Sequence, residues 1–330
     1  MMKLFKISLY VLLVIIVAVA IFAYKGELSA STIDEKYSSA QSQFLTMDNG
    51  ARVHFRDEGN PTGKAVVLVH GSNASLHTWE PWVAILGQSY RVITLDLPAH
   101  GLTGAVPDQD YSSRAQLNTL DALVQHLALE RFTLGGNSMG GGVTWRYTLE
   151  HPQRIDAMIL IDSSGLPQFR RKIQQQRDPQ AEQKEAPLFF TLMSKAWFRT
   201  LAKYIDPYWM AKQGVESSYN HSPVVTDQLI DRYYELALRE GSREATLSRF
   251  SAPRPAADAV DGSLFSMPSL IMWGREDSVI PVEVANMFAE ELDQSELIIY
   301  DDVGHIPMEE IPARSAQDVL AFLAKLDGNG

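Results

Sequence analysis

The chain contains no cysteine. Disulfides, thiolate zinc sites and a cysteine nucleophile are therefore excluded. An oxidising compartment is permitted but not required. A basic stripe is missing too. Lys and Arg number 29 against 40 Asp and Glu, and the net charge is −11. The densest cationic cluster, Arg170-Arg171-Lys172, is short. Nucleic-acid phosphates would find little to neutralise them, so no such partner is expected. Internal repeats and low-complexity tracts are absent as well. At 330 residues, with 45% apolar and 21% charged side chains, the chain suits one large α/β domain or two ordinary ones.

Against these absences stands one conspicuous apolar run. Ile7 to Tyr24 carries no charge and only Ser8 as a clearly polar residue. As a helix it would be about 27 Å long, close to the hydrocarbon thickness of a bilayer. Lys3 and Lys6 precede it, while Lys25 and Glu27 beyond it nearly cancel. The positive-inside rule puts the N-terminus in the cytoplasm and the rest outside it. Ala18-Val-Ala20 has the form of a signal-peptide cleavage site. However, Ile21-Phe22-Ala23 continues the run, and Leu28-Ser-Ala30 has a large residue where a small one is wanted. The favoured reading is an uncleaved single-pass anchor over residues 1–26, facing the periplasm if the source is bacterial. Secretion after cleavage is the alternative. Residues 27–43 are polar and small and read as a tether.

Beyond Phe44 the pattern is that of a folded body. Phe44–Met47 and Arg52–Arg56 read as a hairpin around Asp48-Asn-Gly50. Continuously apolar or buried-type runs follow at Ala65–Val69, Arg91–Leu95, Arg131–Leu134 and Ala157–Ile161. They alternate with helical patterns at 79–86, 113–129 and 143–149. Such alternation predicts an α/β fold with a mostly parallel sheet between two helical layers. Residues 164–255 break the alternation with charge, glutamine, aromatics and proline, and read as inserted helices, among them 188–201 and 226–239. Their dense aromatics suit a small helical core or a lid lining a substrate pocket. The α/β pattern resumes at Ser269–Trp273, with a helix over 282–292, a strand at Glu296–Tyr300 and a closing helix to Lys325. The expected division is therefore 44–163 and 256–330 for the two parts of the core, with 164–255 as the lid.

The candidate chemistry centres on Gly136-Asn-Ser-Met-Gly140, between a predicted strand and a predicted helix. A strand turning sharply into a helix at serine is the nucleophile elbow, whose glycines avoid clashes across the bend. A serine hydroxyl needs a base, and histidine suits because it titrates near operating pH. The imidazole in turn needs a carboxylate to fix its tautomer. Ser138, Asp277 and His305 occur in the expected order, each directly after a predicted strand, so all three are candidates to meet at one sheet edge. Asp162 also ends a strand and is the reserve acid; Asp277 would alternatively cap a helix near Pro281. His70 and His100 precede the serine in turn-like motifs and suit structural roles. Backbone N–H groups of Met139 and Ser72 are the expected oxyanion donors, each such donor being worth about 3 kcal/mol of barrier.

These motifs, with His70-Gly71, Asp96-Leu-Pro-Ala-His-Gly101, Trp273-Gly-Arg-Glu-Asp277 and Gly304-His305, resemble the α/β-hydrolase fold family over about residues 44 to 327. The resemblance implies eight strands, a helical lid after the sixth, and Ser138, Asp277 and His305 as nucleophile, acid and base. The Gly-Asn-Ser-Met-Gly-Gly form is similar to bacterial lipases and esterases. It is also similar to hydrolases that cleave carbon–carbon bonds in dienoate ring-fission products. Ser138 speaks against haloalkane dehalogenases and epoxide hydrolases, which carry aspartate at the elbow. The expectation is a serine esterase acting on apolar acyl esters, without metal or cofactor. The alternatives are a carbon–carbon hydrolase or a non-catalytic binding member of the fold.

Overall fold

The computed structural model describes residues 10, 23–176, 195–251 and 258–328. Eight strands form one sheet in the order β1-β2-β4-β3-β5-β6-β7-β8. They are β1 (Ser42–Thr46), β2 (Arg52–Gly59), β3 (Ala65–Val69), β4 (Arg91–Leu95), β5 (Phe132–Asn137), β6 (Ile155–Ile161), β7 (Ser269–Gly274) and β8 (Ser295–Tyr300). The β1–β2 and β2–β4 pairs are antiparallel, and every other pair is parallel.

The central strands are apolar without alternation because both their faces are covered. On β3, Val67 and Val69 enter one core layer, and Val66 and Leu68 the other. The parallel run delivers the C-terminal ends of β5, β6, β7 and β8 to one edge. Ser138 N–H donates to Ile161 O at 3.0 Å, and Asp162 N–H to Met272 O at 3.0 Å. The residues just past these strands are thus held side by side.

Between β6 and β7 the described residues are helical: Pro167–Gln176, Ala196–Ala202, Tyr208–Ser218, Asp227–Leu238 and Ser242–Ser251. The first part of the helix expected over 188–201 lies outside the described residues. So does most of the run expected to anchor the chain, of which only Tyr10, Ala23 and Tyr24 are described. Among the described residues no helix is long and apolar enough to cross a membrane.

The tether reading of residues 27–43 needs correction. Ala30–Tyr37 is a helix, with Ser29 Oγ capping Thr32 N–H at 3.2 Å, and β1 already begins at Ser42. Ile33 is fully buried. Asp34 pairs with Arg52 at 2.8 Å and with Arg239 at 3.1 Å. Lys36 and Tyr37 both reach Glu235, at 2.6 and 2.9 Å. The segment is therefore packed across the sheet domain and the inserted helices. Its composition looked like a linker because one isoleucine and several ion pairs, rather than an apolar stripe, hold it.

Candidate active site

The site begins with a backbone strain. Ser138 has φ 55° and ψ −115°, in the left-handed half of the map where side chains are disfavoured. It stands between the last residue of β5 and a helix beginning at Met139. Gly136 and Gly140 make the bend feasible. A Cβ on Gly136 would press into the Gly140 backbone, and one on Gly140 into the carbonyls of Val69 and His70. The strain thus holds the hydroxyl at the N-terminus of the Met139–Glu150 helix, where the dipole favours negative charge.

Asp277 and His305 follow β7 and β8. Asp277 Oδ2 lies 2.7 Å from His305 Nδ1, with both side chains buried. The other carboxylate oxygen of Asp277 accepts Val279 N–H at 2.7 Å and Ile280 N–H at 2.9 Å. The acid therefore both caps its own turn and orients the imidazole. Asn137 ties the third member in: its amide donates to Ile161 O at 3.2 Å and to His305 O at 3.0 Å. Among the described residues no hydrogen bond joins Ser138 Oγ to His305 Nε2. In a substrate-free hydrolase such a bond is commonly long and tightens when substrate binds.

Asp162, the reserve acid, is fully buried beside Asp277 and accepts Gly274 N–H at 2.9 Å. Burial, reinforced by the neighbouring Asp277 charge, pushes its carboxyl well above the usual range, so it keeps its proton. Asp162, Asp277 and His305 present ligand-type atoms within 4.8 Å of one another, a spacing a metal ion would also use. Here Asp277 is already engaged by one imidazole nitrogen and two backbone amides, and burial favours the protonated form of Asp162. The second carboxylate oxygen of Asp162 is buried without a hydrogen-bond partner, behind an acid already committed to a histidine.

Across from the elbow lies the loop after β3. A Cβ on Gly71 would sit 2.7 Å from Asn137 Oδ1 and 3.2 Å from Ser138 Cβ, so glycine lets this loop approach the serine. The N–H groups of Ser72 and Met139 donate to no acceptor among the described residues. His70 bonds Gly71 O at 2.7 Å through Nδ1 and accepts Leu97 N–H at 3.1 Å through Nε2. Burial lowers His70 and His100, keeping both neutral.

Several contributors escaped the sequence reading. Asp96 accepts Leu76 N–H, Leu102 N–H and His54 Nδ1, all within 2.8 Å. Burial alone would raise its carboxyl, but the bond and charge of His54, with His70 and His77 nearby, hold it below the usual range. It knots together the loops after β3 and β4. Glu310 accepts Gly304 N–H at 2.5 Å and Asn220 N–H at 2.7 Å. His305 N–H donates to Ser218 O at 2.8 Å, and Ser278 Oγ to Ser217 O at 2.7 Å. The base of the inserted helices is thereby stitched to the Asp277 and His305 loops. Arg249 reaches Asn73 Oδ1 at 2.9 Å and Met139 Sδ at 3.5 Å, setting a cation on the rim. Most of these contacts join residues distant in sequence, and the motif that begins at Asp96 does not announce its partners.

The comparisons with known proteins bear on the family and the fold. Residues 64–312 match the alpha/beta hydrolase fold family. The chain belongs to that family. It is 25% identical to a 2-hydroxymuconate semialdehyde hydrolase of Pseudomonas sp. (strain CF600), covering 84% of this chain and 92% of that one. It is 24% identical to Lipase 1 of Psychrobacter immobilis, over 88% and 86% of the two chains. A crystal structure described as a membrane phospholipase A, a bacterial virulence factor, superposes with a TM-score of 0.67 at 20% identity. That match spans 98% of this chain and 99% of the other, and it speaks to the fold alone.

Proposed function

We propose that this hydrolase cleaves carboxylic esters through Ser138, His305 and Asp277. The carrying observation is the 2.7 Å Asp277–His305 bond beside a serine held at φ 55° on the elbow. In this reading Asp277 fixes the imidazole with Nδ1 protonated, leaving Nε2 as the base. His305 takes the Ser138 proton as Oγ attacks the ester carbonyl. The amides of Met139 and Ser72 receive the oxyanion. The imidazolium returns its proton to the departing alcohol, and water then hydrolyses the acyl-enzyme by the same steps. No step calls for a metal or cofactor. Residues 7–24 serve as a membrane anchor, with the catalytic body outside the cytoplasm, and the substrates are apolar acyl esters.

A carbon–carbon hydrolase is the second reading. Arg249 on the rim favours it, since a guanidinium there would suit a substrate carrying a carboxylate. One experiment separates the two. The full-length protein is assayed on p-nitrophenyl esters of increasing chain length and on a 2-hydroxy-6-oxo-dienoate. Ester turnover abolished by Ser138→Ala, rising with acyl length, supports the first reading. Turnover of the dienoate alone supports the second. No turnover of either class would leave a binding member of the fold.

A further inference from the structure

Trp197, Leu201, Tyr204, Ile205, Trp209 and Met210 are 42 to 69% exposed, and all fall within fourteen consecutive residues. A helix, Ala196–Ala202, carries Trp197 and Leu201 four positions apart, on one face. A short turn follows, and the first turn of the Tyr208–Ser218 helix carries Trp209 and Met210. Exposed large apolar side chains this dense along the chain point to an interaction face. Its aromatics are Trp and Tyr, the residues that settle where one end is dry and the other wet.

The N-terminal run emerges at this patch. Tyr24 pairs with Ile205 in an antiparallel bridge, and its ring stacks on Tyr204 at 6.5 Å between centroids. Lys25 N–H donates to Tyr204 O, and Asp206 N–H to Ala23 O, at 2.9 and 2.8 Å. Tyr24 is itself 61% exposed. The uncharged stretch from Ile7 therefore ends against the exposed aromatics.

Charge points the same way. Residues 195–212 hold Lys195, Arg199, Lys203 and Lys212 against one acid, Asp206, in a chain whose net charge is −11; Lys212 is partly offset by Glu216 at 3.7 Å, leaving the other three cations to set the sign. Lys203 and Lys25 lie over the rings of Tyr204 and Tyr234, at 5.3 and 5.6 Å. Aromatics flanked by lysines suit an anionic lipid surface, the rings at headgroup level and the amines among the phosphates. A surface of the chain's average charge would be repelled.

We infer that residues 195–212, together with Tyr24, form a bilayer-docking face that lays the inserted helices onto anionic lipid. The inference rests on the anchor reading, which brings this face to the membrane. It has a consequence for the reaction. The Tyr208–Ser218 helix starts in the docking face and ends at Ser218, whose carbonyl accepts His305 N–H. Eleven residues of helix span about 15 Å. The candidate base thus stands one short helix from the lipid surface, within reach of an acyl chain drawn from it.

The tryptophans supply the test. Trp79, Trp82, Trp145 and Trp273 are 0 to 3% exposed, Trp197 and Trp209 are 60 and 69% exposed, and residues 7–24 contain none. An anchor without docking leaves tryptophan emission untouched. The full-length chain is reconstituted into phosphatidylcholine–phosphatidylglycerol vesicles brominated high on the acyl chain, then floated on a density gradient. Docking predicts flotation, a blue-shifted emission and quenching by bromolipid. Most of the quenching should vanish in the Trp197→Phe/Trp209→Phe variant, with its melting temperature unchanged. Flotation without quenching overturns the docking face and leaves the anchor standing. Quenching that persists in the double variant overturns it too. Failure to float overturns anchor and docking together. A blue shift that depends on protein concentration but not on bromolipid means that a second copy covers the face, and also overturns the inference.

Discussion

The candidate catalytic edge of the sheet and the outer face of the inserted helices follow opposite rules. At the edge, Ser138, Asp277 and His305 are 8% exposed or less, and buried polar groups are fixed by hydrogen bonds from distant residues. Strain at Ser138 is tolerated there because neighbouring strands over-determine the turn. On the outer face, large aromatics stand exposed, Trp197 and Trp209 most of all. The first region needs its residues for geometry, so their loss should cost activity or folding. The second gains little within the chain from its tryptophans, so their loss should cost neither.

Four substitutions sharpen or break that contrast. The largest effect is expected from Asp277→Asn, which keeps the shape but presents the wrong tautomer to Ser138. Its kcat should fall by about 10⁴, measured on the best ester substrate. A drop under tenfold would remove Asp277 from the reaction. Next, Glu310→Ala strips the acceptor from Gly304 and Asn220 amides. It should destabilise by about 1–3 kcal/mol in urea denaturation and lower kcat with it.

Asp162→Asn should keep activity within about tenfold, since an amide oxygen still accepts from Gly274 N–H and the Asp277–His305 bond is untouched. Its stability effect has a sign fixed by pH. The Asp162 carboxyl is raised in the folded chain, so the unfolded chain releases that proton first as pH climbs past about 4. Native stability is thereby lost with rising pH, a loss the asparagine variant escapes. Melting curves should show the variant gaining on the native protein from acid to neutral pH. A constant gap would contradict the buried protonated acid. The smallest effect is expected from Trp209→Ser, within about 0.5 kcal/mol of the native stability.

Sequence legibility divides along the same line. The strands of the core were readable because burial on both faces favours apolar runs, unbroken at β3 and interrupted only by Arg91 and Thr94 at β4, and the ends of both were located to the residue. Ser138, Asp277 and His305 could be nominated from sequence because each follows a strand, and the structure sets Asp277 beside His305. What stayed hidden depends on pairs far apart in sequence. Asp96 with His54, Glu310 with Asn220, and Asp34 with Arg239 have no periodic signature. The helix at Ala30–Tyr37 was missed for the same reason, since one buried isoleucine does not make a pattern.

The central claim is that Ser138 is a nucleophile activated by His305, and covalent trapping tests it most directly. The full-length protein is treated with a fluorophosphonate, and the adduct is located by peptide mass mapping. One adduct, on Ser138, is expected, absent in Ser138→Ala and formed far more slowly in His305→Gln. An unmodified native protein, or an adduct that survives in Ser138→Ala, would contradict the account.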